Sequence, residues 1–219
     1  MPDKGARDPD AVLRDNKPMN APTESPVPFQ VAAVQMVSTP SVDENLAAAS
    51  ELIARAAEQG ARLVSLPEYF CLMGHADGDK LAIAEHAGEG RIQQFLSDTA
   101  RAHGIWLAGG TLPIATLSPD RVYNTSLVFG PDGSRVARYD KIHLFNFQRG
   151  AESYDEGRSI RAGRQTVGFD TPGGRVGLSI CYDLRFPELY RNLGEVSLIL
   201  VPSAFTYTTG KAHWETLLR

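Results

Sequence analysis

The chain has 219 residues, 42% hydrophobic and 22% charged, which supports one sizeable core and marks no second domain. Its formal net charge of -4 argues against a nucleic-acid binder, and no apolar run approaches the ~18 residues of a membrane span. Two cysteines make no disulfide framework, which points to a reducing, cytoplasmic setting, and five histidines without HxxxH or CxxC pairing make a structural zinc site unexpected.

Residues 1–28 hold six of the fourteen prolines with mixed charge and no clustered apolar residues. Such a stretch cannot bury enough surface to offset ordering entropy, so it reads as a disordered leader, with Met19 an alternative start. From Phe29 onward, strand and helix signals alternate. Residues 29–37 suit a buried strand. Ser41 and Glu44 have capping-box spacing, and Leu46, Ala49, Ile53, Ala56 and Ala57 then follow helical spacing up to Gly60. A strand at 61–66 runs into Pro67-Glu68, and a second amphipathic helix is expected over 89–103. Strands follow near 105–112 and 122–129, then a Pro-Asp-Gly turn at 131–133 and a strand at 134–139. The polar segment 142–163 has no period, and loops of that length in compact domains are usually functional. Strands at 165–170 and 174–180 join through Thr171-Pro172-Gly173-Gly174. A short helix at 186–194, a strand at 196–202 and a helix from about Lys211 complete the pattern. This alternation predicts an α/β layered domain over 29–219 with a mixed sheet. GxGxxG and GxxxxGK[ST] are absent, so no nucleotide site is expected.

Three polar residues each fall just beyond a predicted strand: Glu68, Lys141 and Cys181. Functional groups converge at the carboxyl ends of strands in α/β sheets. A thiol needs deprotonation to attack, a carboxylate can take that proton and return it to a leaving amine, and an ammonium can hold an oxyanion. Each residue also has a plain reading: a buried small hydrophobe for Cys181, a loop cap for Glu68, a solvated pair with Asp140 for Lys141. Spacing alone does not bring the three together.

The surrounding strings do. LPEYF, YDKIHLF and SICYDLRFPELYR resemble, in this order, the glutamate, lysine and cysteine motifs of the nitrilase (carbon–nitrogen hydrolase) superfamily, and the likeness spans about Phe29 to Arg219. The resemblance implies an αββα four-layer sandwich paired into a homodimer or larger oligomer, and a Glu68-Lys141-Cys181 triad needing no metal or organic cofactor. It also implies a second glutamate after the lysine, which Glu156 matches better than Glu152, lying seven residues before Gly163. Asn124 resembles a recurrent asparagine near the lysine and reads equally as a satisfied strand residue. The backbone N–H of Tyr182 is the expected oxyanion donor.

CYDLRFPEL, PSAF and TGKAHWETLLR look most like the branch that cleaves primary amides of small carboxylate-bearing acids, so the expected partner is a small amide rather than nucleic acid or membrane. Arg185, Lys211 and His213 are candidates for the substrate carboxylate, although Arg185 reads equally as a partner of Glu188. Phe205, Tyr207 and Trp214 read as pocket lining or core, and Cys71 as packing. The rivals are a nitrilase or N-carbamoyl amidohydrolase, a Cys-His hydrolase using His143 or His213, and an inactive fragment. The last arises because family members continue past the AHWE helix, and an α/β sandwich cut there is expected to leave open sheet edges.

Overall fold

The computed structural model describes residues 28–76, 78–149 and 152–219. The expected leader and the alternative start at Met19 lie outside these residues. The first sheet opens with β1 (Val31–Ala33), followed by α1 (Val42–Glu58) and β2 (Leu63–Ser65). β1 pairs parallel with β2, a connection that needs the crossover supplied by α1. Ser41 caps α1 by accepting from Glu44 N at 3.4 Å. The Glu44 carboxylate bonds the Thr39 hydroxyl rather than closing the expected box. A four-residue turn of helix, α2 (Asp79–Ala82), has no counterpart in the sequence reading, whereas α3 (Arg91–His103) does.

β3 (Trp106–Ala108) and β4 (Leu112–Ala115) replace the single strand expected over 105–112. Gly109-Gly110 breaks it. Gly110 lies at φ 51, and a Cβ there would overlap the Pro67 carbonyl oxygen, so only glycine lets the two segments meet. β5 (Val122–Phe129) is the hub: β3 and β4 share one of its edges, and β6 (Arg135–Asp140) runs antiparallel along the other. The segment read as an aperiodic loop contains a hairpin, β7 (Asn146–Arg149) and β8 (Glu152–Asp155), and then a 3-10 turn at Glu156–Arg158.

The second sheet is β9 (Gly168–Thr171), β10 (Gly174–Leu178) and β11 (Leu198–Leu200), in the order β11-β10-β9. A 3-10 turn at Cys181–Arg185 and α4 (Pro187–Asn192) precede β11, and α5 (Tyr207–Leu218) follows it, starting four residues before Lys211.

Strand alternation builds the layers. Val64, Leu107 and Leu127 pack against Ala49, Ile53, Leu96 and Ala100 of α1 and α3. Their sequence neighbours Leu63, Ala108 and Val128 face the opposite way, onto Val176, Leu178 and Ile180 of the second sheet. Leu189 and Leu193 pack on that sheet, Leu193 over Gly177. The result is the αββα sandwich expected.

Residues 29–37 depart from expectation. β1 is three residues long and is an edge strand, with Val31 44% and Val37 90% exposed. β2 leaves the sheet at Leu66-Pro67, so the chain before Thr39 has no ladder to follow.

Candidate active site

Glu68, Lys141 and Cys181 come from three elements that the sandwich brings to one place. Glu68 follows β2 across Pro67, Lys141 is the first residue beyond β6, and Cys181 opens the 3-10 turn beyond β10. Tyr69 (φ 56) and Cys181 (φ 48) are the non-glycine residues with positive φ among those described, and they sit on two of these three segments. Backbone strain of ~1–3 kcal/mol persists only where surroundings over-determine it, and it clusters at functional sites. Here Tyr69 N donates to Thr111 Oγ1 (2.8 Å), and Cys181 N donates to the Pro202 carbonyl (3.0 Å).

The Lys141 ammonium, 1% exposed, is the centre of the cluster. It donates to Glu68 Oε1 at 3.0 Å and lies 3.0 and 2.9 Å from the two oxygens of Glu156. Glu68 Oε1 also accepts from Asn124 Nδ2 (3.0 Å), and its Oε2 from Ala204 N (2.9 Å). Glu156 Oε1 accepts from the Tyr69 hydroxyl (2.8 Å), and Oε2 from Phe145 N (2.7 Å). Each carboxylate is therefore held by protein donors as well as by the cation. Glu156 reaches inward because its own N–H is bonded to the Phe145 carbonyl (3.0 Å).

Burial would lower the Lys141 pKa, but the Glu68 and Glu156 charges overcome it and hold the ammonium above its ordinary range. The Cys181 thiol feels the charges of both Glu68 and Lys141. Burial first, and then the Glu68 charge, push its pKa up, while Lys141 works in the opposite direction. The resting thiol thus keeps its proton beside a carboxylate that can receive it. Burial likewise raises the Tyr69 phenol, so it serves Glu156 as a neutral donor. Tyr182 N–H lies in the first turn of the cysteine 3-10 helix, where a helix start leaves N–H groups without intrahelical acceptors.

A cavity of about 360 Å³ opens beside this cluster, lined by Tyr69, Leu72, Met73, His75, Lys80, Phe145, Tyr154, Glu156, Ala204 and Thr206. Arg185, Phe205 and His213 gather next to it rather than in its lining. The Arg185 guanidinium sits over Tyr182 (5.0 Å) and Phe205 (5.4 Å) and lies 3.0 Å from His213 Nδ1. It makes no ion pair with Glu188, so the turn-fixing alternative does not hold. Phe205 meets Trp214 edge-on at 5.1 Å, and Lys211 lies over Tyr207. Cys71 is core, with its thiol pushed up to about 12 by burial.

The histidines of the Cys-His alternative are engaged elsewhere. His143 Nδ1 is 2.7 Å from Asp183 and its ring stacks on Phe186 at 3.7 Å, while His213 meets Arg185. Among the described residues no group of three or more His, Cys, Asp or Glu forms a candidate metal site, and no helix is long and apolar enough to cross a membrane. Tyr69, Thr111, Ala204 and Asp183 were not singled out from sequence. Tyr69 lies within LPEYF, Asp183 within SICYDLRFPELYR and Ala204 within PSAF, but nothing in those strings shows which distant groups they bond.

A thiol, two carboxylates and a shared ammonium thus meet at the strand ends of an αββα sandwich. Comparison with known proteins agrees on the lineage. The family pattern described as Carbon-nitrogen hydrolase matches residues 30–219. A deaminated glutathione amidase of Synechocystis sp. is 39% identical over 198 residues, 88% of this chain and 72% of that protein. The human omega-amidase NIT2 is 41% identical over 197 residues, 87% of this chain and 69% of that protein. The crystal structure of the C. elegans NitFhit protein superposes with a TM-score of 0.78 at 40% identity, covering 86% of this chain and 47% of that one. The chain belongs to the carbon–nitrogen hydrolase family.

Proposed function

We propose that the chain hydrolyses the C–N bond of a primary amide on a small carboxylate-bearing acid, with Cys181 as nucleophile, Glu68 as general base and acid, and Lys141 as oxyanion stabiliser. The observation that carries this reading is the placement of one carboxylate: Glu68 accepts from the Lys141 ammonium at 3.0 Å, and its charge acts on the Cys181 thiol. Glu68 takes the proton of the Cys181 thiol. Attack forms the Sγ–C bond, and the amide oxygen takes negative charge opposite the Lys141 ammonium and the Tyr182 N–H. Collapse breaks the C–N bond as Glu68 returns its proton to nitrogen, releasing ammonia and leaving a thioester on Cys181. Glu68 then takes a proton from water, which attacks the thioester and frees the acid and the thiol. Glu156 keeps Lys141 in place and charged. No metal or organic cofactor enters any step.

The substrate reading is supported by the names of the relatives, an amidase of deaminated glutathione and an omega-amidase, and by basic side chains around the cavity and the cysteine turn. Lys80 and His75 line the cavity, and Arg185 with His213 flanks Tyr182. Phe205 shapes that flank. The test is ammonia release across small monoamides, with nitriles and N-carbamoyl acids alongside. Cys181→Ala is expected to abolish turnover and Cys181→Ser nearly to do so, and mass spectrometry of quenched reactions should find the acyl group on the Cys181 peptide. Undiminished release in either variant would overturn the assignment.

A further inference from the structure

Asp183, two residues beyond the thiol, is wholly buried and takes no part in the chemistry above. It pairs with no lysine or arginine among the described residues. Instead its two oxygens collect four donors. Oδ2 accepts from the Tyr139 hydroxyl (2.6 Å) and from Ile180 N (2.9 Å). Oδ1 accepts from His143 N (3.0 Å) and faces His143 Nδ1 (2.7 Å). A carboxylate can only accept, so Nδ1 carries the proton of this contact.

The placement of those donors is the informative part. Ile180 immediately precedes the nucleophile, and its bond to Asp183 closes the turn in which Cys181 is held at φ 48. Tyr139 and His143 lie two residues before and two residues after Lys141. One side chain therefore ties the turn that aims the thiol to both flanks of the residue that supplies the ammonium. Stacking of His143 on Phe186, at 3.7 Å and 5° between planes, closes the same link from the far end of the cysteine turn.

We propose that Asp183 is a positioning residue that sets the register between Cys181 and Lys141, acting through Tyr139, His143 and Ile180 rather than on substrate. This rests on the proposed roles of Cys181 and Lys141. Bonds to a buried charged acceptor are the strong kind, and a carboxylate with four donors has no lone pair in need of water, so the link is rigid. Rigidity matters because a misplacement of about 1 Å between reacting groups costs about 100-fold in rate.

The experiment compares Asp183→Asn, Tyr139→Phe and the double variant in the full chain, with kcat expressed per mole of folded chain, the folded fraction being read from urea unfolding of the same preparation. Normalising in this way removes any loss caused only by a smaller folded fraction. The Asn variant presents an amide NH2 to donors, and kcat should fall by about 100-fold with KM within about twofold. Tyr139→Phe removes one donor and should lower kcat about fivefold, but it should add nothing in the Asn background, because both changes break the same network. A kcat per folded chain within threefold of the parent, a fall carried by KM, or additive losses in the double variant would each overturn the inference. If Asp183→Asn does not fold, Tyr139→Phe decides alone, and an unchanged kcat there overturns it. A parent chain that releases no ammonia from any amide fails the functional reading itself, which is a different result from an active parent indifferent to Asp183.

Discussion

Lys141 is buried among charges that stability alone does not explain. A buried ion pair replaced by well-packed apolar groups is typically neutral or stabilising by ~1–4 kcal/mol, whereas removing one partner costs ~3–5 kcal/mol. The Glu68-Lys141-Glu156 cluster is thus a feature that folding tolerates and that the proposed chemistry uses. Lys141→Met should destabilise the chain by about 3–5 kcal/mol and lower kcat at least 100-fold, because it leaves two carboxylates facing each other and an oxyanion without its cation. Adding Glu156→Gln to that variant should recover part of the stability, read from urea midpoints, and none of the turnover. Cys71 gives a pH test of the same kind. Its folded pKa, about 12, lies above the ordinary ~8.5 of an unfolded thiol. Its contribution is fully present below the unfolded value. As pH rises toward and through about 12 the unfolded state ionises first, and stability is lost. Cys71→Ser should therefore flatten the fall in urea midpoint between pH 8 and pH 10, and an unchanged slope would assign that fall to other groups.

At the scale of elements, the site depends on where strands stop. β3 and β4 are separate strands because Gly109-Gly110 turns the chain beneath Pro67, one residue before Glu68. Gly110→Ala puts a side chain at φ 51 against the Pro67 carbonyl. It should cost ~1–3 kcal/mol and, by pushing Pro67, reduce kcat more than the loss of stability alone would. Thermal melts and ammonia release on the same preparation separate the two effects. This geometry also explains what could be read in advance. Glu68, Lys141 and Cys181 were legible because each sits in a run of five or more characteristic residues at the end of a strand. Ala204 N lies 136 residues from the carboxylate it bonds, and the Tyr69 hydroxyl 87 residues from its own acceptor. Tyr139 and Asp183 are 44 apart. Contacts of that separation leave no local period, so only the folded chain reveals them. The hairpin β7–β8 was hidden for a related reason: a short two-stranded ribbon carrying Asn146, Gln148 and Ser153 shows no apolar alternation.

For the whole molecule, the alternation of strands and helices predicted a layered α/β domain and the resemblance implied its four-layer order, which β2, β3 and β5 fit by burying one face against helices and the other against the second sheet. What sequence overestimated was β1. FQVAAVQMV has the composition of a buried strand, but a strand extends only as far as its partner does, and β2 turns away after Ser65. Among the described residues β1 pairs with β2 alone, so its outer edge presents unpaired backbone groups beside Val31, with a groove formed by Gln30–Gln35 and the Leu52, Arg55 and Ala56 face of α1. An open edge with an apolar side chain is a template for pairing with another chain, and lysine at such an edge opposes it. Val31→Lys should therefore reduce concentration-dependent association of this chain, measured by light scattering between low and high micromolar concentrations. Ammonia release per mole should stay unchanged, because β1 contributes no residue to the cluster around Lys141. Association that persists unaltered in the lysine variant would move the sticky surface away from β1, toward the edge of the second sheet at β11, where Ile199 is exposed and β10 is the one strand paired among the described residues.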